Sequence, residues 1–128
     1  MKGERFIAEV KDLGELGSNE DAEAATRATL ETLKERLAGN EPSNLAAQLP
    51  PEIAPFVEGE GGREAFSVEE FYDRVAQREG AGRDEAVRHA RAVATVLQTA
   101  VTGGELDDVR SQLGNEYGEL FGHMGASA

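Results

Sequence analysis

Cysteine is absent from this 128-residue sequence, which removes disulfide frameworks, thiol nucleophiles and thiolate metal sites and fits a reducing compartment. Long apolar runs are absent as well, and none approaches the ~20 residues that a membrane span needs. Met1-Lys2-Gly3-Glu4-Arg5 leads straight into charged, amphipathic sequence without the apolar stretch of a signal peptide, so a cytoplasmic protein is expected. Histidine occurs only as His89 and His123, which are not four residues apart and belong to no His-Glu-x-x-His string, so zinc has no support. Gly59, Gly61 and Gly62 have neither a preceding strand nor a following Lys-Ser/Thr, which excludes a phosphate-cradling loop. Serine and histidine form no nucleophile elbow. No catalytic residue, metal site or cofactor is assigned, and an enzyme is not expected.

Positive charge is the other scarcity. Thirteen Lys and Arg face 25 Asp and Glu, for a net charge of -12. The imbalance is spread along the chain, with 14 acids and 7 bases up to Glu64 and 11 acids and 6 bases after it. Such a field repels a phosphate backbone and an anionic membrane surface alike, so neither nucleic acid nor membrane is an expected partner. Only Lys2, Lys11 and Lys34 are lysines. Abundant acid with little lysine matches proteins of high-salt cytoplasms, where carboxylates hold water and salt screens their repulsion. A GC-rich genome that favours arginine produces the same composition. A chain of this length has the usual size of one domain and buries roughly two-thirds of its unfolded surface.

What is present is helical periodicity. Phe6, Ile7, Val10 and Leu13 form a stripe that Gly14 and Gly17 end. Ser18 and Asn19 are good caps for a long helix from about Glu20 to Ala38, with stripe Ala22, Ala25 or Thr26, Thr29 or Leu30, Leu33 and Leu37. Gly39-Asn40 stops it. A short helix from Pro42 to Gln48 follows, and Pro51 opens another with Ile53, Phe56 and Val57. Glu58 to Arg63 is Gly-rich and without apolar residues, the composition of a linker. Ser67 and Glu70 read as a capping box for a helix with Phe71, Tyr72 and Val75. Asp84 is the expected cap of a second long helix with stripe Ala86, Ala90, Val93, Val96 or Leu97, and Ala100 or Val101. Gly103-Gly104 stops that one, a short helix from Glu105 presents Leu106, Val109 and Leu113, and Tyr117, Leu120 and Phe121 close the core. Gly122 to Ala128 is small and polar and is expected to fray.

The pattern is written twice. Moving Glu20–Val57 along by 64 residues lays it on Asp84–Phe121 without a gap. Ala22, Arg27, Ala28, Leu33, Gly39, Glu41, Gln48, Leu49 and Glu52 then recur, nine identities in 38 positions. Leu37 with Val101, Leu45 with Val109, Ile53 with Tyr117 and Val57 with Phe121 stay apolar. One such unit leaves an apolar face uncovered, and two are too few for a solenoid. The expectation is an all-α compact bundle, one domain over 1–128. It has repeat one at about 4–57, linker 58–63, repeat two at about 67–122 and tail 123–128, each repeat holding about four helices related by a pseudo-two-fold axis.

Ala-Thr-Arg-Ala-Thr-Leu-Glu-Thr-Leu-Lys-Glu-Arg-Leu (25–37), Leu-Ala-Ala-Gln-Leu-Pro (45–50), Ser67-Val68-Glu69-Glu70-Phe71, Arg91-Ala92-Val93 and Asp108-Val109-Arg110-Ser111-Gln112-Leu113 resemble the prokaryotic family called domain of unknown function 2267. The resemblance covers about residues 4–122. It implies a duplicated all-helical fold and carries no activity or cofactor. Gly114 stands where the family often repeats the Leu-Pro break, a local difference in turn geometry.

Four residues recur in positions suited to polar contacts between the repeats: Arg27, Gln48, Arg91 and Gln112. The glutamines end the short helices, where they are expected to cap free backbone groups. Arg27 has Glu23 and Glu31 four residues away, whereas Arg91 has no such acid, so a clamp onto Glu52 or Glu116 of the other repeat is the alternative for both. Glu105, Asp107 and Asp108 lie in sequence order before His123, lack the calcium-loop spacing, and are read as complements to a helix N-terminus, as is Glu41. The functional expectation is a non-enzymatic structural or protein-interaction module that meets a protein partner or forms a homodimer. The alternative is a small-ligand or ion-responsive regulatory domain whose pocket between the repeats is lined by Arg27, Arg91, Gln48 and Gln112. A helix-turn-helix DNA reader is the weakest option, opposed by the net charge.

Overall fold

The computed structural model describes residues 1–121; Gly122, His123 and the rest of the expected frayed tail, 123–128, lie outside them. Among the described residues the chain is all-α. It runs α1 (Gly3–Gly14), α2 (Asn19–Arg36), α3 (Glu41–Ala46), α4 (Val68–Glu79), α5 (Arg83–Ala100), α6 (Gly103–Leu113) and α7 (Gly118–Phe121), with 3-10 turns at Ala54–Phe56 and Asn115–Tyr117 and no strand. The long helices α2 and α5 have 18 residues each, and their ends lie 64 residues apart in sequence.

Local chemistry accounts for the boundaries. Ser18 Oγ accepts from the N–H of Asp21, Ser67 Oγ from Glu70, and Thr102 Oγ from Glu105, so α2, α4 and α6 each start on a hydroxyl cap. Glu70 does not complete the expected box at Ser67; its carboxylate pairs with Arg74 at 3.0 Å. Three expected boundaries move. Asp84 is not the cap of α5. Gly82 is, and its N–H donates to Glu85 Oε1 at 3.1 Å. Gly103 and Gly104 do not interrupt the chain but form the first turn of α6, because Thr102 caps earlier. Helix α1 keeps Gly14 and ends with Glu15 in the left-handed region at φ 56°.

Four helices form the core. α1 packs on α2 and α5, α4 packs on α2 and α5, and α2 also meets α5 across the ring. Every first helix therefore touches both long helices. The stripes read from periodicity face inward: Phe6, Val10, Ala22, Leu30, Leu33, Phe71, Val75, Ala86, Ala90, Val93 and Leu97 are all buried. So are the apolar pairs Leu37 with Val101, Leu45 with Val109, Ile53 with Tyr117 and Val57 with Phe121. α3 lies against α6, the Ala54–Phe56 turn covers α2 and α3, and α7 closes on α5. Small side chains allow the close approach of α5 to its neighbours, with Ala86, Ala90, Ala92 and Ala94 all buried.

Across α2 and α4 an ion network adds direction to the apolar contact. Arg78 grips Glu35 with two bonds of 2.9 and 2.7 Å and donates to Thr32 Oγ1 at 2.7 Å. Arg74 reaches Glu35, Glu64 and Glu70 while its guanidinium lies 3.9 Å from the centre of the Phe66 ring. The bonds from Arg78, with those from Arg74, hold Glu35 below the usual carboxylate range.

The Gly-rich segment behaves differently from a loose tether. Gly61, Gly62, Arg63 and Glu64 donate their N–H groups to the carbonyls of Gly39, Lys34, Leu37 and Glu35, so the segment lies along the end of α2. A Cβ on Gly61 would fall on the Leu37 carbonyl, and one on Gly62 would sit 2.8 Å from the Glu35 oxygen. Glycine is needed there for close approach rather than for flexibility. Gly61→Ala is expected to cost about 2 kcal/mol, an overpacking penalty. Gly104→Ala, where nothing lies within 4 Å of a new Cβ, should leave stability nearly unchanged, and urea denaturation of the two variants checks the contrast.

Candidate functional site

Where α2 ends, the N–H of Ala38 points away from any helical partner; where α5 ends, the N–H of Thr102 does the same. These are the first residues beyond the C-caps Leu37 and Val101. Gln112 Oε1 accepts from Ala38 N–H at 2.8 Å, and Gln48 Oε1 accepts from Thr102 N–H at 2.8 Å. Each glutamine thus serves a backbone group of the opposite half, 74 and 54 residues away in sequence. Capping is the chemistry, but the helix end served is not the glutamine's own.

Between these two contacts lies the seam of α3 and α6. Glu41 and Glu105 occupy the first turns of these helices, as expected for acids near a positive helix end. Their carboxyls also face each other. Both residues are buried, at 8% and 9% exposure, and one oxygen of each, Oε2, has no hydrogen-bonding partner among the described residues. Burial, the facing Glu105 carboxyl and the charge of Asp108 push Glu41 up to about 7.

Arg36 closes the other end of α6. Its Nη1 donates to the Gln112 carbonyl at 3.0 Å, Nη2 to Leu113 at 2.9 Å and Nε to Phe66 at 3.1 Å, with the guanidinium 5.3 Å from the Tyr117 ring centre. The carbonyls left free at a helix C-terminus are natural acceptors for a cation. Sequence comparison of the halves gives no hint of it, because the position equivalent to Arg36 is Ala100.

The two arginines lie elsewhere. The Arg27 guanidinium sits 5.1 Å from the centre of the Phe56 ring, and among the described residues no carboxylate pairs with it; Glu31 instead approaches Arg78 at 3.7 Å. Arg91 donates to Glu119 Oε2 at 3.1 Å, the same oxygen to which the Tyr72 hydroxyl donates at 3.0 Å. Burial pushes that hydroxyl up to about 12, so Tyr72 remains a donor. Neither arginine clamps Glu52 or Glu116 of the other half, and Glu116 accepts from Val68 N–H. The contacts found for Arg27 and Arg91 are both to residues of their own halves. Arg27, Gln48, Arg91 and Gln112 therefore end in separate surroundings rather than around one pocket.

A cleft between the halves does exist, at the opposite turns. The α1–α2 turn brings Glu15, Leu16 and Gly17, and the α4–α5 turn brings Gly80 and Ala81. Asp21, Glu79, Glu85, Arg88 and His89 complete a space of about 310 Å³. At its base His89 Nδ1 lies 2.6 Å from Glu79 Oε2, both side chains more than nine-tenths buried. Glu79 Oε1 has no partner among the described residues. Burial raises the Glu79 carboxyl, Glu85 and Asp21 add to this, and His89 opposes it. Arg88 is held by the Gly14 carbonyl at 3.0 Å. A carboxylate that fixes one imidazole nitrogen sets the tautomer and orientation of the ring. The pair escaped sequence reading because its members lie ten residues apart across the left-handed Gly80 turn, a spacing with no local signature.

Residues 3–120 match the family described as Uncharacterized conserved protein (DUF2267). The chain belongs to this family. No curated protein matches it. Membership in DUF2267 brings no chemistry with it, and the geometry above has to carry the functional argument. No helix among the described residues is long and apolar enough to cross a membrane.

In this DUF2267 chain Gln48→Ala and Gln112→Ala are each expected to lower stability by about 1 kcal/mol, the worth of an ordinary hydrogen bond. His89→Ala leaves a buried carboxylate without its partner and is expected to cost about 3 kcal/mol. Urea denaturation at pH 7 measures all three.

Proposed function

We propose that the chain is a non-enzymatic protein-interaction module, built from two tandem helical units closed on each other about a pseudo-two-fold axis. The duplication is supported by the 64-residue equivalence of α2 with α5 and by the reciprocal glutamine contacts. The non-enzymatic reading rests on the missing nucleophile, phosphate-loop and metal motifs of the sequence. A cytoplasmic setting rests on the lack of cysteine.

One observation carries the interaction reading. Leu13 is 51% exposed although the rest of the α1 stripe faces inward. It borders a groove of about 450 Å³ on α1 and α5, where Val87, Ala92 and Thr95 supply the floor and Asp84, Arg88 and Arg91 the rim. An apolar patch with a polar rim is the composition of a protein contact. The occupant is an apolar side chain of a protein partner or of a second copy of the chain.

A small-ligand or ion-responsive role is the second reading. Its support is the acidic cleft at Glu79 and His89, which replaces the pocket first expected at Arg27, Gln48, Arg91 and Gln112. Four carboxylates against Arg88 and His89 suit a cationic ligand. Titration with 1,4-diaminobutane, followed by amide chemical shifts, should move the turns at 15–17 and 80–81 if this role operates, and leave them unmoved if it does not.

Leu13→Asp is expected to leave stability within about 0.5 kcal/mol, as for other exposed positions. It should abolish capture of a partner by the tagged chain from its own cell extract, or self-association in sedimentation. Unchanged association of the Leu13→Asp chain would remove the groove from the account.

A further inference from the structure

Glu41 and Glu105 are equivalent by the 64-residue shift, lie on two helices packed against each other, and are both buried. Among the described residues no cation pairs with either. Each has one buried oxygen without a partner. A single proton resolves both defects at once: the protonated carboxyl donates to the ionised one, and neither orphan oxygen remains. Two ionised carboxylates facing each other at this depth would repel in a medium that screens them poorly.

Among the described residues the charged surroundings offer no other solution. α3 brings no ionisable group besides Glu41, and the Ala54–Phe56 turn packed on it brings none. On α6, Asp108 adds negative charge beside the pair. Arg110 lies over the Phe121 ring at 5.9 Å, and Asp107 lines the cavity on that same side. Glu116, on the turn packed against α6, accepts from Val68 N–H.

We propose that Glu41 and Glu105 share one proton and act as a pH-sensitive latch between α3 and α6, closed while the proton is held and loosened when it leaves. The reciprocal glutamines flank this seam, so a loosened latch acts on the contact that joins the halves. A pair of this kind titrates as a unit, in steps that belong to both groups together.

The direction of the pH dependence follows from proton counting. The folded chain keeps the proton up to about pH 7, whereas an unfolded glutamate releases it near 4.5. Between these values the folded state binds more protons, so stability falls as pH rises and levels off above about 7. Glutamine at either position imitates the protonated carboxyl, since its amide donates to the remaining carboxylate.

Urea denaturation of the full chain between pH 5 and 8.5 tests this on the natural sequence, Glu41→Gln and Glu105→Gln. The unfolding constant of the natural chain is expected to rise at least tenfold relative to either variant across that range, a difference set by the raised carboxyl. Hydrogen exchange, corrected for its intrinsic pH dependence, should show faster opening of α3 and α6 amides at pH 8 in the natural chain alone. Carbon-13 titration of the glutamate carboxyls on the natural chain gives a result that needs no variant to fold, with one carboxyl step near neutral pH expected. Parallel stability profiles for the three chains, or ordinary acidic titration of both carboxyls, would overturn the latch.

Discussion

Each long helix needs the first helix of the other half to cover it. α2 lies under α1 and α4, and α5 lies under the same two helices from the other side. A single half would leave one apolar flank of its long helix in water. At roughly 25 cal/mol per Å² of apolar surface, covering that flank supplies a large share of a domain's marginal stability. The crossed packing therefore explains the paired stripes, the abundance of alanine on α5 and the chain's need for both halves.

The polar groups at the seam solve the problem that this packing creates. Bringing two helix ends together leaves backbone N–H and C=O groups that no helical partner serves. Gln48 and Gln112 answer this reciprocally, Arg36 answers the α6 carbonyls, and the Gly-rich segment answers the carbonyls at the end of α2. Glu41 and Glu105 are the exception, since their mutual approach is satisfied only with a proton between them. Elsewhere the net charge of -12 is spread, and the arginines are drawn into networks such as Arg74 and Arg78 around Glu35. Such an arrangement keeps the surface acidic while the interface between the halves is held by a few directed contacts.

Much of the fold was legible because periodicity and repetition report burial directly. Ala22 and Ala86, Leu33 and Leu97, and Ile53 and Tyr117 recur at the same shift and are all buried. The candidate site was legible only in part. Recurrence singled out Gln48 and Gln112, but their partners, far away in sequence, depend on how the halves meet. Glu41 and Glu105 recurred too, and a helix-end role accounted for them until their carboxyls were seen to face each other. Arg36 and the His89–Glu79 pair left no trace, since neither repeats and neither has a helical spacing. Composition marked the Gly-rich stretch as a linker but not its packing along the end of α2, because close backbone approach and flexibility select the same residue. Arg27 and Arg91 repeat because their helices do, and each then found a different aromatic or acidic neighbour.

The central claim is that the two halves form one cooperative core, neither able to persist without the other. Native-state hydrogen exchange in rising denaturant tests it most directly. The account predicts that the most protected amides of α2 and α5 merge into a single opening, with the same free energy and the same denaturant dependence. Exchange of α2 through an opening that leaves α5 fully protected would contradict it.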